Sequence, residues 1–139
     1  MEAENSKLRV LLAEDNSSVL QETRNLLRRE FDLVATAENG LHLIDAAKEF
    51  KPDIVVTDIN MPELNGIEAG RRILALGCCK NIVALSATNS PEIVRLAFEA
   101  GIRGYVLKED AGEELISAIY AAARGKVFLS SRVATEPHA

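Results

Sequence analysis

The 139-residue chain has no tryptophan, and only 4% of it is aromatic. A flat cofactor sandwiched between aromatic rings would therefore find little to lie on. Cysteine is equally scarce. The only two, Cys78 and Cys79, are adjacent, and a bridge between chain neighbours would be badly strained. They carry no metal-ligand spacing, and they read as reduced thiols of a cytosolic protein. Basic residues are outnumbered, 16 against 21 acids, for a net charge of -5. A compact nucleic-acid reader needs clustered Lys and Arg, so direct binding of nucleic acid by this chain is not expected. Long hydrophobic runs are missing as well. The longest, Ala118–Ala123, falls far short of the roughly 20 residues of a membrane span. The first residues lack the apolar segment of a signal peptide.

What is present is the mixture of an ordinary soluble globule, 47% hydrophobic and 27% charged. The length suits one domain. Short apolar runs at Arg9–Ala13, Leu33–Ala37, Ile54–Thr57, Ile82–Ser86 and Gly104–Leu107 have the character of parallel strands buried on both faces. Between them the period changes to that of a helix. Val19, Leu20, Thr23, Leu26 and Leu27 share one helical face, as do Ile93, Val94, Ala97 and Phe98. Ser18 with Gln21, and Asp110 with Glu113, have the spacing of capping boxes. Ser90 precedes Pro91 at a helix start, and Gly77, Gly101 and Gly125 stand just past helix ends. Beyond residue 126 the periodicity is lost, and the tail is expected to be a strand-poor extension.

A strand–helix alternation repeated five times implies a parallel sheet with right-handed crossovers and helices on both faces. Such sheets place function outside the carboxyl ends of their strands. Glu14 and Asp15 follow the first strand, Asp58 the third and Lys108 the fifth, while Ser86 ends the fourth. If the first and third strands are neighbours, three carboxylates converge and repel, unless a cation joins them. Mg²⁺, a hard ion that takes oxygen ligands and is often completed by a phosphate, answers that need. A lysine and a hydroxyl on the far side make a phosphoryl-transfer site, governed by positioning and charge. Asp58 is the candidate nucleophile, giving an aspartyl phosphate, because the paired Glu14 and Asp15 are better placed as metal ligands.

Taken together, Glu14-Asp15, Asp58-Ile59-Asn60-Met61-Pro62 with Gly66, Ser86-Ala87 and Tyr105-Val106-Leu107-Lys108 resemble the response-regulator receiver domain. The likeness spans about residues 8–126, with every motif in order. It implies a doubly wound α/β fold with a five-stranded sheet in flavodoxin-like order 2-1-3-4-5. It also implies that Asp58 takes a phosphoryl group from a sensor histidine kinase or phosphotransfer protein. By the same resemblance Asp15, Asp58 and the Asn60 backbone carbonyl hold Mg²⁺, with Glu14 acting directly or through water. Ser86 and Lys108 contact the phosphoryl group, and Tyr105 changes rotamer on activation. The protein would then be a cytoplasmic switch, not a conventional enzyme, and able to form a homodimer on phosphorylation. The runs Ala100–Tyr105, Lys108-Glu109-Asp110 and Ala123–Lys126 further resemble the NarL/FixJ type, whose receivers precede a LuxR-like helix-turn-helix domain. Residues 1–126 are accordingly expected to form the receiver. Residues 127–139 would be a tail or the start of a linker to an output domain absent from this chain. A stand-alone receiver is the alternative, with Val127-Phe128-Leu129-Ser130 favouring the truncated form.

Two positions depart from the commoner pattern. Glu109 replaces the proline that often follows the pocket lysine, and Ser86 replaces the more frequent threonine. Three other functions compete. A phosphohydrolase would want an acid where Asn60 stands, and a flavodoxin-like binder would want more aromatics. A docking module would have no use for an intact acidic pocket. Local roles compete too: Asp15 as a helix cap, Asp58 as a turn residue, Ser86 bonded to nearby backbone and Tyr105 as a plain strand residue.

Overall fold

A computed structural model describes residues 7–134. The elements alternate as the apolar runs and helical periods require. They are β1 Arg9–Ala13, α1 Ser17–Arg28, β2 Asp32–Ala37, α2 Gly40–Phe50, β3 Ile54–Asp58 and α3 Gly66–Leu76. There follow β4 Ile82–Ser86, α4 Pro91–Glu99, β5 Gly104–Leu107, a 3₁₀ turn Lys108–Asp110, α5 Ala111–Ala123, β6 Phe128–Leu129 and α6 Ser131–Ala134. All pairings are parallel, in the order β2-β1-β3-β4-β5-β6.

Alternate residues of each strand feed opposite faces. Leu11, Val55, Ala84 and Tyr105 pack under α2, α3 and α4 with Leu43, Ile73 and Ala97. Val10, Val56, Leu85 and Val106 pack under α1 and α5 with Leu27, Leu115 and Ile119. The strands β3, β4 and β5 are buried throughout, which is why their sequences show no polar alternation.

The sheet has six strands, not five. After α5 the chain returns along β5, where Phe128 N donates to Arg103 O at 3.0 Å and Ser130 N to Tyr105 O at 2.9 Å. Two residues are too few to show a period of two, and Phe-Leu inside a polar tail carries no strand signature. Helix starts also differ. Asn16, not Ser18, caps α1, its side chain accepting from Val19 N. Asp110 forms no capping bond because the 3₁₀ turn runs directly into α5. Pro91 opens α4 as expected, but the Ser90 side chain does not cap it. Gly77, Gly101 and Gly125 all have positive φ. Both cysteines are free thiols.

Candidate functional site

The order of the strands puts β1 beside β3, so the residues that leave them meet above the sheet edge. Glu14 is only 1% exposed and Asp58 4%, while Asp15 lies in the open. A ligand oxygen from each of the three falls within 4.8 Å of the others. The sequence placed these acids together, and the fold brings them together.

Lys108 leaves β5 and crosses to both buried acids. Its Nζ lies 3.0 Å from Asp58 Oδ2 and donates to Glu14 Oε2 at 3.3 Å. Glu14 Oε1 is an ion-pair contact 3.1 Å from that nitrogen, but it is buried and accepts no hydrogen bond. Burial pushes the Glu14 carboxyl up, and the nearby Asp58 charge adds to the rise. The Asn16 N–H and Lys108 oppose it without cancelling it. Burial acts against the Lys108 charge, but hydrogen bonds to Asp58 and Glu14 outweigh it and hold the ammonium above its ordinary value. Three clustered carboxylates, two of them on one ammonium, and a buried Glu14 oxygen that accepts no hydrogen bond fit a hard divalent cation.

Asp58 is fixed from behind. Its Oδ1 accepts from Asn60 N at 3.2 Å, and its carbonyl accepts from the Thr57 hydroxyl at 2.9 Å. The next helix starts against that same carbonyl. A Cβ on Gly66 would lie 2.0 Å from Asp58 O, so only glycine lets α3 begin there.

The opposite side of the mouth is made of hydroxyls. Ser86 Oγ donates to Thr88 O at 3.2 Å and accepts from Thr88 N at 3.1 Å, while Thr88 Oγ1 accepts from Ser90 N. Tyr105, fully buried rather than half-buried, donates its phenol to the same Thr88 carbonyl at 2.7 Å. Burial holds that phenol above its ordinary pKa, so it remains a donor. Ser86 thus does have the local backbone partner that competes with a phosphoryl contact. The Thr88 carbonyl, which joins Ser86 to Tyr105, was invisible in the sequence because any residue supplies a backbone acceptor.

Comparison with known proteins agrees with this geometry. The response regulator receiver domain pattern matches residues 10–120. The chain belongs to that family. The receiver is 36% identical over 132 residues to the uncharacterized transcriptional regulatory protein YxjL of Bacillus subtilis, covering 94% of this chain and 61% of that protein. It is 32% identical to the nitrate/nitrite response regulator NarL of Escherichia coli, over 87% of this chain and 57% of NarL. The chain therefore spans about three-fifths of these two regulators. Against the chemotaxis protein CheY of Listeria monocytogenes it is 31% identical, covering 84% of this chain and 99% of CheY. A LuxR-family two-component response regulator from Aurantimonas sp. superposes with a TM-score of 0.88 at 34% identity, covering 94% of this chain and 95% of that one. This chain is a receiver domain of the response-regulator kind, similar to NarL and to a LuxR-family response regulator.

Proposed function

We propose that this receiver takes a phosphoryl group on Asp58 and passes the event to an output through Ser86 and Tyr105. The observation that carries the reading is the contact of Lys108 with Asp58 beside a buried Glu14 oxygen that accepts no hydrogen bond. An Asp58 oxygen attacks phosphorus in a phosphohistidine or an acyl phosphate. The new P–O bond forms as the bond to the donor's nitrogen or oxygen breaks, and the leaving group departs with that electron pair. Lys108 balances charge on the transferring group. Glu14, Asp15, Asp58 and the Asn60 carbonyl would hold Mg²⁺. Once bound, that ion neutralises the acids and the incoming phosphate oxygens.

Ser86 turns from Thr88 to a phosphoryl oxygen, and the Ala87–Ser90 loop loses its two hydrogen bonds to Ser86. Tyr105, left as the other donor to Thr88, follows the loop. The phosphoryl donor is a sensor histidine kinase or phosphotransfer protein, and the phosphorylated form pairs with a second copy. Residues 1–126 act as the phosphoacceptor unit. Residues 127–139 lead toward an output domain that reads DNA, a reading supported by the transcriptional regulators matched over part of their length. No helix among the described residues is long and apolar enough to cross a membrane.

Intact mass after incubation with acetyl phosphate and Mg²⁺ tests the reading. Wild type gains a single phosphoryl adduct that disappears with a chelator. Asp58→Ala stays folded and gains none. Stoichiometric label on Asp58→Ala would remove the assignment.

A further inference from the structure

Strand β5 ends in Leu107, and the next residue is Lys108. On one side β5 is tied to β4 as far as the Ser86–Leu107 pair. On the other side β6 supplies backbone partners only for Gly104 and Tyr105, since the chain then turns into α6. The outward N–H of Leu107 would be left unmet at a residue only 5% exposed. The Ser130 hydroxyl takes the place of the missing strand and accepts that N–H at 2.8 Å. Ser130 is itself fully buried, and its own N–H is held by Tyr105 O.

The segment that brings Ser130 there is well anchored. Val133 is fully buried in the same cluster as Tyr105 and Leu107. Ser131 Oγ donates to Glu114 Oε2 of α5 at 2.8 Å. Ser130 therefore fixes the backbone one residue before the ammonium that contacts Glu14 and Asp58, and it does so from beyond residue 126.

We propose that Ser130 is a positioning residue for phosphoryl transfer: by holding the Leu107 N–H it sets where Lys108 meets Asp58, so the site is complete only with the C-terminal segment docked. The inference rests on the reading of Asp58 as phosphoacceptor. It has a directional consequence, because the acids on β1 and β3 do not depend on Ser130, whereas the lysine does. Cation binding and phosphoryl uptake should separate. Misplacing a reacting group by an ångström can cost about a hundredfold in rate, and partial loosening of one backbone anchor is expected to cost about tenfold.

The test uses the whole chain, with the rate of acetyl phosphate labelling followed by intact mass and Mg²⁺ affinity by calorimetry. Ser130→Ala is expected to label about tenfold more slowly while its Mg²⁺ dissociation constant stays within about twofold of wild type. Ser130→Thr, which keeps the hydroxyl, should recover the rate. Ile73→Val, a core change on α3, controls for general loosening and should leave the rate unchanged. Ser130→Ala labelling at the wild-type rate overturns the inference. So does a fall in rate matched by an equal loss of Mg²⁺ affinity, or by an equal fall in Ile73→Val. Failure of wild type itself to label strikes the reading of Asp58 instead.

Discussion

The acids and the hydroxyls face each other across one small opening, yet their bonding states are opposite. On the acid side a single ammonium serves the buried Glu14 and Asp58, with the exposed Asp15 beside them, and one buried oxygen of Glu14 accepts no hydrogen bond. On the hydroxyl side Ser86, Thr88 and Tyr105 satisfy one another, with two donors on the Thr88 carbonyl. The first half gains from a cation and a phosphoryl group, because these relieve repulsion and desolvation already present. The second half must break bonds to respond. Ser86 holds Thr88 through two neutral hydrogen bonds of about 1 kcal/mol each, so releasing them costs about 2 kcal/mol, or roughly thirtyfold in population. A phosphoryl group that draws in Ser86 has to exceed that amount. The division of labour is a loaded half that binds and a contented half that yields.

The largest break in this comparison should come at Gly66, which lets the acid side keep its shape. In Gly66→Ala the new methyl carbon would meet the Asp58 carbonyl, which is backbone and cannot swing aside. The expected loss is about 3 kcal/mol of unfolding free energy, read as a lower urea midpoint, together with weakened Mg²⁺ binding. Gly112→Ala, in α5 with open space around it, should be neutral or slightly stabilising. Equal effects at the two glycines would mean that the acid half is not held by close backbone approach.

The same contrast explains what could be read before the fold was known. Glu14, Asp58 and Lys108 were legible because strands end where apolar runs end, and parallel sheets gather those ends. Charged side chains stand out against such runs. Thr88 was not legible, since its role is carried by a carbonyl oxygen. Ser130 was missed for a related reason. It lies past a two-residue strand in a polar tail, and its partner is a backbone N–H that only the early departure of β6 leaves unmet. The cap of α1 was misplaced by two residues because Asn16, Ser17 and Ser18 are all good caps, and sequence alone does not rank them.

A second test sharpens the claim that the acid half is loaded. The ordinary carboxyl value for Glu14 is 4.5, and burial raises it in the native state. The folded protein then holds a proton that the unfolded chain has released. The contribution of Glu14 to stability is therefore fully present below about 4.5 and is lost as pH rises through the raised native value. Lys108, shifted upward, keeps its contribution until strongly alkaline pH. In a chelator, the urea midpoint of wild type should fall across this window, and Glu14→Gln should flatten the fall and be more stable at neutral pH. Mg²⁺ should restore wild type far more than the variant. An unchanged slope in Glu14→Gln would place the pH dependence elsewhere.

The smallest expected effect addresses the hydroxyl half, where one acceptor serves two donors. Tyr105→Phe removes the phenol but leaves Thr88 O bonded to Ser86, so nothing is orphaned. The cost should be about 1 kcal/mol or less. Ser86→Ala leaves the phenol in place but also removes the acceptor of Thr88 N, so it should cost somewhat more. The double variant strips the carbonyl of both donors, so its loss should exceed the sum of the two singles. Chemical denaturation of the four proteins gives the coupling directly, and amide exchange at Thr88 and Asn89 should quicken most in the double variant. Strict additivity would mean that Ser86 and Tyr105 act on the loop independently. The hydroxyl half would then lack the shared acceptor through which a change at Ser86 reaches Tyr105.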